Sequence, residues 1–574
     1  MDASIVIISL PAIFRGIGLD PLAAGNIGYL LWMILGYLLV SAVLVVVLGR
    51  LGDMFGRVRI YNLGFLIFAC ASVALSLDPF RAGAGALWLI LWRIVQAFGG
   101  SMLTANSAAI LTDAFPARQR GMALGINQMT ALAGQFLGLL AGGLLAAVDW
   151  RAVFWVSVPV SITGTVWSYL SLRETASGRR GRVDWLGNLT FACGAGILLA
   201  GITYGIQPYG GSATGWGNPW VLTGLSGGVF LLLAFCLVET CPRALGFARA
   251  AGTRAVEPMF QLSLFRVRAF AAGNLAVLLT AIARGGLQFM LIIWLQGIWL
   301  PLRGYDFADT PLWAGIFMLP LTLGFLIAGP VSGYLSDRFG ARLFATAGLV
   351  LVAGSFLGLL ALPVNFDYAT FAALLLLNGL GQGMFSAPNT SSIMGSVPAE
   401  YRGVASGMRS TFQNSGTALS IGVFFSLMVS GLASSLPAAL SGGLQAHGVP
   451  AASAEQAASL PPVSTLFATF LGNNPVGHLL GSSGVLDQLT AIQRATLTGH
   501  TFFPQLVSGP FHHGLTVVFG VAAVMALVAA LASALRGRHE PRDGRLPENG
   551  PAVDSRPERP AGDGPAARAD HPRR

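Results

Sequence analysis

The chain contains no lysine. All 34 of its basic side chains are arginine, and only 10% of its 574 residues are charged. A soluble domain carries about 25%, so this chain has too little charge to cover a water-facing surface, and lipid is its expected solvent. Without lysine no Gly-x4-Gly-Lys-Ser/Thr phosphate loop can be written, which excludes ATP drive of that kind. Cysteine is equally scarce. Cys70, Cys193, Cys236 and Cys241 lie in or at the end of apolar runs, lack metal-ligand spacing and read as small core residues without disulfides. His447, His478, His500, His512 and His513 fall in one loop in no metal-binding pattern. With no nucleophile, metal cluster or cofactor motif, the chain is not expected to be an enzyme.

The net charge of +10 does not point to nucleic acid, because the arginines sit between apolar runs and in the last 39 residues. What is abundant is hydrophobic sequence, 54% of the chain, in runs long enough to cross a bilayer core of ~30 Å at about 20 residues each. Such runs cover 21–49, 60–77, 82–112, 121–148, 152–172, 269–302, 310–336, 343–366, 368–399, 403–431 and 514–535. Residues 185–238 hold two more, with Pro208, Gly210, Gly211, Gly215 and Gly217 at the turn. With a partial segment at 1–14, fourteen transmembrane helices are predicted. That first segment reaches only about 21 Å before Arg15. A true start upstream of Met1 is favoured; the other reading is a short helix stabilised by its neighbours. Fourteen spans place both termini on one side. Seventeen loop arginines fall on that side and five, Arg15, Arg81, Arg151, Arg303 and Arg494, on the other, so both termini are expected in the cytoplasm.

One motif occurs twice, 284 residues apart: Gly49-Arg-Leu-Gly-Asp53-Met-Phe-Gly56-Arg57 and Gly333-Tyr-Leu-Ser-Asp337-Arg338-Phe-Gly340. Each copy follows one apolar run and precedes another, which predicts a tight loop between two membrane helices. A duplicated loop implies a duplicated bundle, an architecture of many secondary transporters. Asp53 and Asp337 are placed to cap a helix N-terminus and to pair with Arg57 or Arg338, latching the cytoplasmic side. The expected fold is an all-α membrane protein of two pseudo-symmetric six-helix bundles with two extra helices between them. Its parts are a first bundle at 1–173, linker helices at 174–240, a cytoplasmic loop at 241–268, and five helices of the second bundle at 269–431. An external loop follows at 432–513, folded against the outer face, then a last helix at 514–535 and a disordered tail at 536–574.

An ionised side chain in mid-membrane costs at least ~2.5–3.5 kcal/mol on insertion scales, so each marks a functional candidate. Arg93, Arg284 and Arg409 lie inside uncharged runs, and the comparable carboxylate is Asp2. Arg284, followed by Gly285, Gly286 and Gln288, is about half-way along its span and suits a central cavity facing Arg93. The structural alternative for Arg93 is helix packing against backbone carbonyls, and for Arg284 a pairing with a helix end or with Asp2. Arg409, seven residues beyond Arg402, either snorkels to the cytoplasmic surface or lines a cavity with Gln413 and Asn414. Asp2 is a natural protonatable switch if the chain starts upstream, and lies at the water interface if Met1 is the start. Gln96, Gln288, Gln296, Asn378, Gln382 and Asn389 are polar groups that bond either a neighbouring helix or a substrate. The cationic balance predicts neutral or anionic substrates over organic cations.

The segment 49–59 resembles the loop signature of the major facilitator superfamily, Gly-x-Leu-x-Asp-Arg-x-Gly-Arg, with Met54 in place of its first Arg. Further segments resemble that superfamily's fourteen-span drug:proton antiporter branch. They are Asp2-Ala-Ser-Ile-Val-Ile-Ile-Ser-Leu-Pro11, Arg93-Ile-Val-Gln96-Ala-Phe-Gly99, the fifth-helix antiporter motif at Gly134, Gly138, Gly142 and Gly143, Trp150-Arg151 through Pro159, and Val183-Asp-Trp-Leu-Gly187. Ile7, Ser157 and Leu139 depart from the pattern, and Leu139 removes a proline bend from the fifth helix. The resemblance implies a monomeric, proton-coupled efflux carrier in the cytoplasmic membrane. Its partners would be protons, a small-molecule substrate and lipid, with no cofactor beyond the proton gradient. It also implies a coupling role for Arg93 and a gate role for Asp53 and Asp337. The alternative function is uptake or export of a specific organic anion.

Overall fold

A computed structural model of the chain describes residues 2–19, 26–115, 120–174, 185–240 except 213, 261–398 and 402–537. The described residues form helices and no strand. Twelve helices are long and apolar enough to cross a membrane. The other two predicted spans are present as shorter apolar stretches, Ser4–Ile17 and Ala133–Val148, so the count of fourteen rests on two segments that fall below a full span. In the second of these the helix itself is longer, Arg120–Val148.

The first part of the chain comprises α1 (Asp2–Ile17), α2 (Asn26–Phe55), α3 (Arg57–Ser76), α4 (Ala82–Ala114), α5 (Arg120–Val148) and α6 (Ala152–Ser171). Next come α7 (Trp185–Gly205) and α8 (Pro219–Thr240), which pack on each other through glycine. A Cβ on Gly228 would lie 2.7 Å from the Leu198 backbone nitrogen. Small residues let helix backbones approach in lipid, where no hydrophobic force drives them together. Then follow α9 (Arg268–Leu302), which contains a π-helical turn at Leu295–Trp299, α10 (Thr310–Phe317), α11 (Leu319–Phe339), α12 (Ala341–Leu360), α13 (Tyr368–Gly395) and α14 (Arg402–Ala446). Five short helices lead to the last long one: α15 (Ala451–Ala458), α16 (Pro462–Leu471), α17 (Pro475–Ser482), α18 (Val485–Gln488), α19 (Ala491–Thr498) and finally α20 (Phe502–Ala534).

The predicted external loop is therefore shorter and more ordered than its sequence suggests. Helix α14 continues through Pro437 to Ala446, and α20 begins at Phe502, leaving only 447–501 between them. Residues 432–446 are mostly Ala, Leu and Ser, good or neutral helix formers, so one proline does not end the helix.

The same contacts recur at a near-constant offset. Gly64 and Gly99 bring α3 against α4, each Cβ position lying 2.9 and 2.7 Å from the other's carbonyl. Gly348 and Gly381 do the same for α12 and α13 at 2.5 and 2.6 Å. Gly49 meets Ala105 at 3.5 Å as Gly333 meets Ala387 at 3.6 Å. Outward, large apolar side chains are bare: Leu170 is 82% exposed and Trp220 84%, where a water-soluble protein would bury them. Cys70, Cys193 and Cys236 are exposed on this outer surface, contrary to the expectation of core positions; nothing in their spacing distinguishes a core-facing from a lipid-facing turn.

Candidate functional site

Four helices of the first half deliver one buried polar cluster. Arg93 on α4 is 2% exposed and donates through Nη1 to Asp2 Oδ2 on α1 at 2.5 Å and to Gln96 Oε1 at 2.8 Å. Gln96, one turn along α4, donates through Nε2 to Asp2 Oδ1 at 3.1 Å and to Ser72 Oγ on α3 at 2.9 Å. The Arg93 guanidinium lies 4.3 Å from the ring centre of Tyr37 on α2. The acid and the aromatic face offset part of the cost of burying this guanidinium. Asp2 thus lies inside the bundle, its side chain 10% exposed, rather than at a water interface.

Arg284 does not face Arg93. Its Nη2 donates to Gln135 Oε1 on α5 at 3.1 Å, and Gln135 Nε2 donates to Gln288 Oε1 at 2.9 Å, so this chain of amides joins α5 to α9. Composition near Arg284 gave no hint of Gln135, which hides between Gly134 and Gly138 of the antiporter-like motif. The helix runs unbroken through the paired glycines, so the local break their sequence permits is not present. Ser420 Oγ on α14 accepts from Gly286 N–H and donates to the Ile282 carbonyl, which ties α14 to α9. Around these residues lies a cleft of about 30 Å³ lined by Gln135, Leu139, Arg284, Gln288, Thr322 and Gln382. That admits a water or two, whereas drug-sized ligands occupy about 300–1,000 Å³. The helices must part before such a compound can enter.

Arg409 on α14 is buried at 7% exposure rather than snorkelled, and no described group bonds its guanidinium. Gln413 and Asn414 are half-buried on the same helix. Gln296, Asn378, Gln382 and Asn389 mostly join helices: Gln296 donates to the Ile8 carbonyl of α1 at 3.4 Å, and Asn378 to Ser355 Oγ at 2.7 Å.

The two copies of the duplicated motif are turns of one residue each, Gly56 at φ 105° and Gly340 at φ 89°, a region L-residues with a Cβ avoid. Asp53 lies in the last turn of α2, not at a helix start, and the side chains of Asp53 and Asp337 are outside the described residues. The N-terminal amides of α3 are instead taken by Glu174. Its carboxylate accepts from Arg57 N at 3.0 Å, Val58 N at 3.1 Å and Arg59 N at 3.4 Å. This cap comes from 117 residues away, beyond the reach of local pattern. Arg338 lies over the Tyr334 ring at 5.2 Å. Residues 116–119, 175–184, 241–260 and 538–574, read from sequence as loops and a tail, fall outside the described residues.

In the antiporter-like motif, Gly142 packs α5 on α1, where a Cβ would lie 2.9 Å from the Ile5 carbonyl, and Ser9 Oγ donates to the Gly142 carbonyl at 2.9 Å. Gly143 packs α5 on α10, a Cβ there falling 2.5 Å from Leu312 Cα. Gly138 is buried, and Gly134 faces open space. Helix α5 thus touches elements of both halves, as do α1 and α2. Between α3 and α4, Asp78 is buried with Oδ2 unbonded. Burial pushes its carboxyl above the ordinary range, against the opposing pull of the Phe80 amide and of Arg151.

The chain is similar to known proteins along most of its length. It is 27% identical over 553 residues to the tetracenomycin C resistance and export protein of Streptomyces glaucescens, covering 96% of this chain and 91% of that one. It is 28% identical to the riboflavin transporter RibZ of Clostridioides difficile over 75% of this chain and 86% of the relative. It is 30% identical to the multidrug resistance protein Stp of Mycobacterium tuberculosis over 76% and 74%. These relatives are named for transport, export and resistance, not for an enzymatic reaction. The model of the Major Facilitator Superfamily matches residues 1–204 and 186–421. With apolar helices throughout, duplicated turns and a polar cleft between α5 and α9, the chain is a multi-pass membrane transporter belonging to the Major Facilitator Superfamily.

Proposed function

We propose that the protein is a proton-coupled exporter of small amphipathic compounds, neutral or anionic, working by alternating access in the cytoplasmic membrane as a monomer. Its fourteen segments form two pseudo-symmetric bundles with α7 and α8 between them and both termini in the cytoplasm. The observation that carries the reading is the buried Asp2–Arg93 pair with its Gln96 and Tyr37 partners. Protonating Asp2 removes half of a desolvated ion pair, and the bundle relaxes toward whichever state solvates Arg93 better. Arg284 and Arg409 supply positive charge without a carboxylate partner among the described residues, which favours anionic or neutral cargo. The names of the relatives support efflux of drug-like molecules.

The test uses inside-out vesicles with an imposed proton gradient and a panel of riboflavin, tetracenomycin C, an organic carboxylate dye and the dication methyl viologen. Cargo of the first three kinds dissipates the gradient, and Arg284→Ala lowers their transport about tenfold or more, the loss expected of one charge-assisted hydrogen bond of ~1.5–3 kcal/mol. Strong transport of the dication that is untouched by Arg284→Ala overturns the cargo class. A second reading, movement of one specific organic anion, is favoured by the unpartnered Arg409. It predicts a response to a single carboxylate and silence for the rest of the panel.

A further inference from the structure

Helix α16 is ten residues long, about 15 Å, too short to span a bilayer, yet every residue from Val463 to Leu471 is buried. A helix apolar and covered all round belongs inside a protein rather than on its rim. Here it lies in the stretch between α14 and α20, in contact with α1 of the first half and with α9, α14 and α20 of the second. Its hold on the second half is specific. Phe467 stacks on Phe425 of α14 at 5.1 Å, and Phe470 meets Phe289 of α9 edge-on at 6.4 Å. The Thr469 carbonyl lies 3.0 Å from where a Cβ on Gly297 would be, so α16 sits directly against the π-helical turn of α9. That turn also reaches the first half through Gln296 and the Ile8 carbonyl. Gly472 ends α16 at φ 74° beneath Phe307, and the adjoining Asn474 caps α17 while donating to the Leu497 carbonyl at 2.7 Å.

We propose that α16 is the outer gate of the transport path: a re-entrant plug carried by the second half and seated against α1, which must be uncovered for the path to open outward. The inference rests on the transporter reading and on the placement of 447–501 outside the cell. Any motion that parts α1 from α9 on that side has to expose α16, because α16 occupies the seam between them. The aromatic contacts to α9 and α14 make it travel with the second half, so its contact with α1 is the one that breaks.

The test is cysteine accessibility to a membrane-impermeant maleimide in right-side-out vesicles, with the four native cysteines replaced by alanine. Thr465→Cys is nearly isosteric and loses no hydrogen bond, since Thr465 Oγ1 has none. Ile492→Cys, at an 80% exposed site in α19, reports the side of the membrane, and Val476→Cys, fully buried in α17, reports local breathing of the insertion. With an outward-open state populated at about 0.1–10%, Thr465→Cys should react about ten to a thousand times more slowly than Ile492→Cys. It should react faster than Val476→Cys, and an acid-outside proton gradient should change its rate alone. A Thr465→Cys rate that tracks Val476→Cys, or that ignores the gradient, overturns the gate. Labelling of Ile492→Cys only in inside-out vesicles overturns its external placement. If no compound in the transport panel moves while Thr465→Cys still answers the gradient, the cargo reading fails and the gate stands.

Discussion

Asp2 and Arg93 make the most buried ion pair among the described residues, and each is costly to bury without the other. Removing one member of a buried pair costs roughly 3–5 kcal/mol, whereas replacing both with neutral groups is often harmless. Arg93→Gln and Asp2→Asn should each lower the thermal unfolding temperature in detergent, and the double variant should recover most of that loss. The double variant should still fail to couple transport to protons, which a purely structural role does not predict. Asp78 offers a second residue-level test. A carboxyl held above its ordinary value of about 3.9 binds its proton more tightly folded than unfolded. Its stabilising contribution is complete below that value and disappears as pH rises through the raised one. Stability should therefore decline from about pH 4 upward, and Asp78→Asn should flatten that decline in melting curves taken across pH.

At the scale of elements, α5 is one of the helices that join the halves, with α1 and α2, and its four motif glycines are not equivalent. Gly143→Ala pushes a methyl to within 2.5 Å of the Leu312 backbone, an overpacking that costs about 1–3 kcal/mol. Gly134→Ala meets nothing within 4 Å and should stabilise the helix by up to about 1 kcal/mol. Unfolding midpoints and transport rates of the two variants should move in opposite directions; equal effects would show that the motif acts through something other than close packing. The turns at Gly56 and Gly340 were legible because a repeated Gly between two apolar runs has few other uses. The Glu174 cap, the Gln135 bridge and the Ser420 bonds to α9 were not. Each joins residues more than a hundred positions apart, and no periodicity encodes such a partner.

For the whole molecule, the exposed apolar belt makes a direct prediction about its solvent. Single-tryptophan variants keeping Trp220 or Trp167, 84% and 69% exposed, should be quenched by brominated lipid, while one keeping Trp294 at 1% should not. Equal quenching of all three would contradict the helix packing described here.

Hydrophobic run length and the doubled loop were enough to point to an all-helical membrane carrier, since crossing a bilayer imposes length and composition on each segment by itself. Tertiary structure alone decided which buried charges meet: Arg93 with Asp2, Arg284 with Gln135, Arg409 with no described group. It also buried α16, a helix within what the sequence reads as an external loop. The reason is the same in both cases. Burial cost is a local property readable residue by residue, but the groups that repay it are chosen by packing between distant helices.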